Sequence, residues 1–152
     1  MKDPKKKTNQ HLEEPIVVYG LANDPTGFFS ELSMVDIEKF AIGGSSITAI
    51  QESTNLSVQT ITDALGISKS KYYDMLQADA LDFKTKDALV DLAYLWEKGM
   101  EAFDENQGNL IEWLNAKNEN LGDIKPVNLF GSRMGRRELE KAFLRIEYSV
   151  YG

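Results

Sequence analysis

Between Leu89 and Phe103 the apolar residues Leu89, Leu92, Ala93, Trp96, Met100 and Phe103 follow one another at intervals of 3, 1, 3, 4 and 3. A helix puts residues so spaced on one face, whereas a strand would need every second position. The spacing predicts a helix from roughly Thr85 to Phe103 whose apolar side must be covered by other elements. Gly99, inside it, costs about 1 kcal/mol relative to Ala and marks either close helix packing or an early frayed end.

The punctuation on both sides is helical too. Ser33 precedes "MVDIEKFAI", which runs to Gly43 and Gly44, Ser46 precedes "ITAIQEST", "VQTITDAL" runs to Gly66, and Ser68 precedes "KSKYYDMLQ". A Ser hydroxyl accepts from the orphan amides of a first turn, and Gly reaches the left-handed conformation that ends a helix. Further on come a short helix over "GNLIEWLNA", one turn opened by Pro126 in "KPVNLFG", and a last helix from Gly135 to Tyr148 with Leu139, Phe143, Ile146 and Val150 on one side. The expected fold is all-α with about seven helices. A flexible arm over 1–27, with "PIVVYGL" extended, precedes a helical domain over 28–84 and a second over 85–152.

At 152 residues such a chain buries about 68–70% of its unfolded surface and needs no staple. It has no cysteine, no apolar leader after its lysine-rich start and no run long enough to span a bilayer, so a cytoplasmic protein with no membrane partner is expected. The net charge of −7 argues against a surface that grips phosphates throughout. Positive charge concentrates instead at Arg133, Arg136, Arg137, Lys141 and Arg145, set against Glu138 and Glu140.

Little here suggests catalysis. The single histidine, His11, lies in the arm, so no His-based triad or metal cluster can be assembled, and neither a phosphate-binding nor a dinucleotide-binding glycine motif occurs. Acidic pairs such as Glu13 with Glu14 and Asp104 with Glu105 read as solvated loop charges. No enzyme activity, cofactor or metal is expected. Trp96, Trp113, Phe103 and Phe130 read as core.

Two segments carry the functional expectations. Ile61, Leu65, Ile67, Tyr72 and Met75 have the spacing of a helix-turn-helix core with Gly66 at its turn, so Lys69, Ser70, Lys71 and Tyr73 project where DNA contacts are made. A helical hairpin that reads nothing fits the same spacing, and Asp74 adds an opposing charge. At the other end, Tyr148 and Tyr151 either fold back onto the body or insert into a partner's cleft.

The run "EWLNAKNENLGDIKPVNLFGSRMGRRELEKAFLRIEYSVYG" resembles the toxin-binding C-terminal domain of the Xre/MbcA/ParS antitoxin family. The matching positions are Trp113, Leu114, Asn118, Leu121, Gly122, Pro126, Leu129, Gly135, Arg145, Ile146, Glu147, Tyr148, Val150 and Tyr151, and "LGISKSKYYDML" is similar to the family's Xre-type helix-turn-helix. Ser149 stands where the pattern usually has Gly, and Lys71, Asp74 and Met75 where its reading helix tends to carry Thr and Arg. The resemblance implies an antitoxin of a type II toxin-antitoxin system, an Xre-like helix-turn-helix bundle followed by a small toxin-binding and dimerisation domain. It implies a homodimer that neutralises a RES-domain, NAD-consuming toxin by placing Arg145, Glu147, Tyr148, Ser149, Val150, Tyr151 and Gly152 at or in the toxin's active site. Operator DNA, read by Lys69, Ser70, Lys71 and Tyr73, would be a second partner through which it represses its own operon. The competing expectation is a stand-alone helix-turn-helix regulator whose C-terminal domain only dimerises.

Overall fold

Short polar residues set most helix starts in the computed structural model, which describes residues 23–149. Helix α1 (Pro25–Ser30) is capped by Asp24, whose carboxylate accepts from the Gly27 amide at 3.1 Å. Helix α2 (Met34–Lys39) starts on a reciprocal pair: the Ser33 hydroxyl accepts from the Asp36 amide, and the Asp36 carboxylate accepts from the Ser33 amide. Then follow α3 (Ser45–Thr54), α4 (Val58–Leu65), α5 (Lys69–Leu76), α6 (Phe83–Ala102), α7 (Gln107–Asn115) and α8 (Arg133–Ser149), with 3-10 turns at Glu119–Leu121 and Pro126–Gly131 before the last. The fold is all-α. Among the described residues there is no strand, only an isolated bridge between Asn118 and Ile124. No helix among them is long and apolar enough to cross a membrane. The arm's first 22 residues, including His11 and "PIVVYGL", and Val150, Tyr151 and Gly152 lie outside the described residues. Helix α1 begins at Pro25, two positions ahead of residue 27, where the arm is expected to end.

Ser57 and Ser68 cap α4 and α5, and α4 ends at Gly66 with φ 68°. The other two serine-led starts go differently in part. The helix opened by Ser33 stops at Lys39, not at Gly43, because the chain turns extended at Phe40 and carries Ile42 into the core. The Ile42 carbonyl then accepts from the Leu81 amide at 2.7 Å, and the Gly44 amide donates to the Ala78 carbonyl at 2.9 Å. Tertiary pairing here overrides a local pattern that would have continued the helix. Ser46 does not cap α3. Gly44 holds the cap position, where the Met75 and Leu76 carbonyls leave no room for a Cβ, and Ser46 is buried with its Oγ lacking a hydrogen-bond partner among the described residues. Helix α6 starts two residues earlier than its periodicity suggests, since Asp82 accepts from the Thr85 amide at 2.8 Å.

Helix α6 is the axis of the fold. It packs against α1, α8, α4 and α2, and Leu89, Leu92, Ala93 and Trp96 are buried as the periodicity requires, while Met100 and Phe103 are half-buried. A Cβ on Gly99 would stand 2.9 Å from both Leu110 Cδ1 and Phe143 Cζ, so this glycine marks close helix packing. Phe29 and Ile37, Ile47, Ile61 and Tyr72, and Leu92, Leu110, Phe130, Leu139 and Phe143 belong to one apolar cluster that includes residues on both sides of position 85.

The seam between α1 and α6 contains a carboxylate. The Thr26 hydroxyl donates to Glu97 Oε1 at 2.6 Å. Burial, then the charges of Asp24, Glu105 and Glu101, push the Glu97 carboxyl above its ordinary value against the opposing effect of that hydrogen bond. A folded-state pKa raised above the unfolded one contributes stability that is fully present below the unfolded value, 4.5, and lost as pH rises through the folded value. Glu97→Gln, which keeps an oxygen for Thr26, is therefore expected to raise the melting temperature at pH 7 and to make no difference below pH 4. Thermal melts at the two pH values check this. A glutamine variant that melts lower at pH 7 would mean the fold relies on the charged carboxylate.

Candidate partner-binding surface

Helix α8 is bound to the body along one face. Leu139 and Phe143 are buried, with Phe143 5.5 Å from Trp113 ring to ring. Its N-terminal half is clamped by Arg136, whose Nε lies 2.8 Å from Asp91 and whose Nη1 donates to the Phe130 carbonyl at 3.0 Å. One turn on, the Tyr94 hydroxyl donates to Glu140 at 2.9 Å. This hydrogen bond, after burial, pushes the Tyr94 phenol above its ordinary pKa. Toward the C-terminus the burial fades. Ile146 is half-buried, Glu147 intermediate, Arg145 and Ser149 exposed, and Tyr148 70% exposed. Of the two alternatives open for Tyr148, the described helix projects it away from the core.

Beside this projecting end the loop from Asn118 to Ile124 closes into a small ring. The Asn118 side chain accepts from the Asn120 amide at 2.9 Å, its own amide donates to the Ile124 carbonyl at 3.0 Å, and its carbonyl accepts from the Asp123 amide at 2.9 Å. Gly122 takes φ 74°, which a side chain would strain. Between this ring and α8 lies an open cleft of about 260 Å³ lined by Trp113, Asn118, Leu121, Arg145, Ile146 and Ser149.

Many of the positions that carry the family resemblance thus have a structural reason. Leu114 and Pro126 are buried, Asn118 and Gly122 form the ring, and Gly135 lies against the Leu129 backbone too closely for a Cβ. Arg145 and Tyr148 have none of these. Among the described residues Arg145 makes no ion pair, and its guanidinium offers a planar fork of donors at the cleft.

The candidate DNA-contacting residues occupy another part of the surface. Tyr72 is buried and holds Tyr73 edge to face at 5.2 Å, while Lys69, Ser70, Lys71 and Asp74 are exposed and Tyr73 is 57% exposed. Ile61 and Leu65 are buried, with Ile67 and Met75 half-buried against the same cluster. Lys71 lies near enough to Asp82 to help lower its carboxyl pKa, after the larger effect of the hydrogen bonds to Thr85. The turn at Gly66 lies beside Arg133 and Gly131, at the start of α8. The turn that precedes α5 is therefore at the N-terminal end of α8, while Arg145 and Tyr148 are near its C-terminal end, about 18–22 Å along the helix at 1.5 Å per residue. The ring and its cleft escape sequence reading, although the turn-forming "NENLGD" was the available signal. No protein-family model matches the chain, and no curated protein is significantly similar to it.

Proposed function

We propose that the chain is the antitoxin of a RES-domain toxin, that it binds the toxin through the C-terminal end of α8 and the residues that follow, and that it blocks NAD consumption without catalysing a reaction itself. The observation that carries this reading is the contrast within the family-like pattern: its buried and turn-forming members account for themselves structurally, while Arg145 stands exposed at an open cleft and Tyr148, three residues on, is exposed as well. An exposed Tyr next to Arg is the composition of an interface core, not of an ordinary solvated face. In this reading Glu147 and Ser149 border the contact and Val150, Tyr151 and Gly152 enter the toxin. The antitoxin acts as a cytoplasmic homodimer. The test is co-expression with the RES-domain protein: cells should keep their NAD pool with the chain present and lose it with the toxin alone. NAD that collapses equally in both cultures, with both proteins detected, would refute the reading.

The exposed cationic start of α5 favours a second activity, repression of its own operon, or, if no toxin is bound, a stand-alone regulator. Lys69→Ala with Lys71→Ala is expected to weaken binding to the chain's own promoter fragment and to reduce the slope of log affinity against log salt by about two counterions, with toxin inhibition intact. Titrations at several salt concentrations measure that slope. An unchanged slope would leave both lysines as ordinary surface charges.

A further inference from the structure

Four cations recur at every fourth residue of α8: Arg133, Arg137, Lys141 and Arg145, all exposed. They rise about 18 Å along the helix and wind about 120° around it, since four residues exceed one full turn by 40°. This arrangement is locally unfavourable on two counts. Like charges four residues apart repel across a helix face. Arg133, the first residue of α8, also places a positive charge at the positive end of the helix dipole. Lys141 has Glu138 at 3.6 Å, while among the described residues Arg133, Arg137 and Arg145 make no ion pair, although Asp87, Asp91 and Glu140 line the same open cleft as Arg133 and Arg137. Arg136, which faces the body, is fully engaged by Asp91 and the Phe130 carbonyl. Between the first and last of these cations lie Met134, 76% exposed, and Leu144, 38%, and beyond Arg145 lies Tyr148, 70%.

We propose that this winding edge, from Arg133 to Arg145, docks an acidic surface of the toxin, so that the toxin is gripped along the whole of α8 and not only at its last turn. The inference rests on the reading of the chain as an antitoxin. A second copy meeting this edge with its own α8 would set cation against cation, and one meeting it with an acidic face would show as an altered oligomeric state of the α8 variants with normal toxin binding, which overturns the inference. Nucleic acid is disfavoured by the apolar side chains between the cations. An acidic protein surface satisfies both features, charge pairing along the ladder and apolar contact between its rungs.

The test uses the full chain and purified toxin. Arg133→Glu with Arg137→Glu places acids in the first turns of α8, where the helix dipole favours them but where Asp87, Asp91 and Glu140 are also close, so a melting curve of the variant is the folding control. Association with toxin should slow by about tenfold or more in dilute buffer, the gap closing as salt approaches about 0.5 M. Arg133→Gln with Arg137→Gln should move the rate in the same direction by less, which keeps the inference testable if charge reversal disturbs folding. Lys39→Glu, the same kind of charge change on α2, should leave the rate nearly unchanged. An unaltered rate in the α8 variants, or an equal loss in Lys39→Glu, overturns the inference while the antitoxin reading stands. Weakened binding to the promoter fragment with normal toxin binding overturns it in favour of nucleic acid. A parent chain that does not bind the toxin refutes the antitoxin reading and this inference together.

Discussion

A chain ending at Tyr148 is expected to fold like the full-length protein and to lose neutralisation almost completely. The Ser149 hydroxyl donates only to the Ile146 carbonyl of its own last turn, at 3.0 Å, and the residue is exposed, so its removal takes little from the body. Val150 and Tyr151 would be lost with it. Each contributes about 1.5–3 kcal/mol when fully buried in a partner. Together that is about two to four orders of magnitude in Kd. Cellular NAD in strains co-expressing toxin with either form gives the functional readout, and a melting curve of each form gives the control. Full protection by the truncated chain would remove the insertion mechanism, even if toxin still bound elsewhere on α8.

Phe143→Ala should cause the largest loss of stability, about 3–5 kcal/mol for a fully buried aromatic whose site cannot collapse. The ring is 2% exposed, is packed on Trp113 and fills the space that Gly99 leaves open. Its removal leaves a hole bordered by α6, α7 and α8, three elements held by other buried contacts as well, which limits relaxation. Against a usual total of 5–15 kcal/mol the variant would be marginal, its melting point lower by about 6–20 °C. Urea unfolding of parent and variant measures the difference. A loss under about 1 kcal/mol would mean that Trp113 and Leu110 close over the gap and that this part of the core is more adaptable than a well-packed interior should be.

The elements legible in the sequence are those whose causes are local. The end of α4 and the start of α5 follow from Gly66 and Ser68, each acting within one turn, and the buried face of α6 follows from its own spacing. The early end of α2 was not legible, because Ile42 is held by the Leu81 amide, a partner nearly forty residues away. Ser46 misleads for a related reason: a serine before an apolar run usually caps, and only the approach of the α5 C-terminus shifts the cap to Gly44. Of the candidate site, the exposure of Lys69, Ser70, Lys71 and Arg145 agrees with their spacing, whereas the cleft required knowing that the Asn118 ring folds against α8. The apolar side traced in the sequence of the last helix passes through Leu139, Phe143, Ile146 and Val150 and leaves out Met134 and Leu144, whose exposure depends on where the body lies against α8.

The apolar cluster that joins α1 to α8 through α6 has a consequence for turnover. Two parts that share one core melt together, so thermal or proteolytic opening that frees α8 also dissolves the surface around α5. An antitoxin built this way would disappear from toxin and promoter at once when a protease attacks its open form. The rate of that loss would be set by one unfolding equilibrium, to which Phe29 near the start of the fold and Phe143 near its end contribute alike.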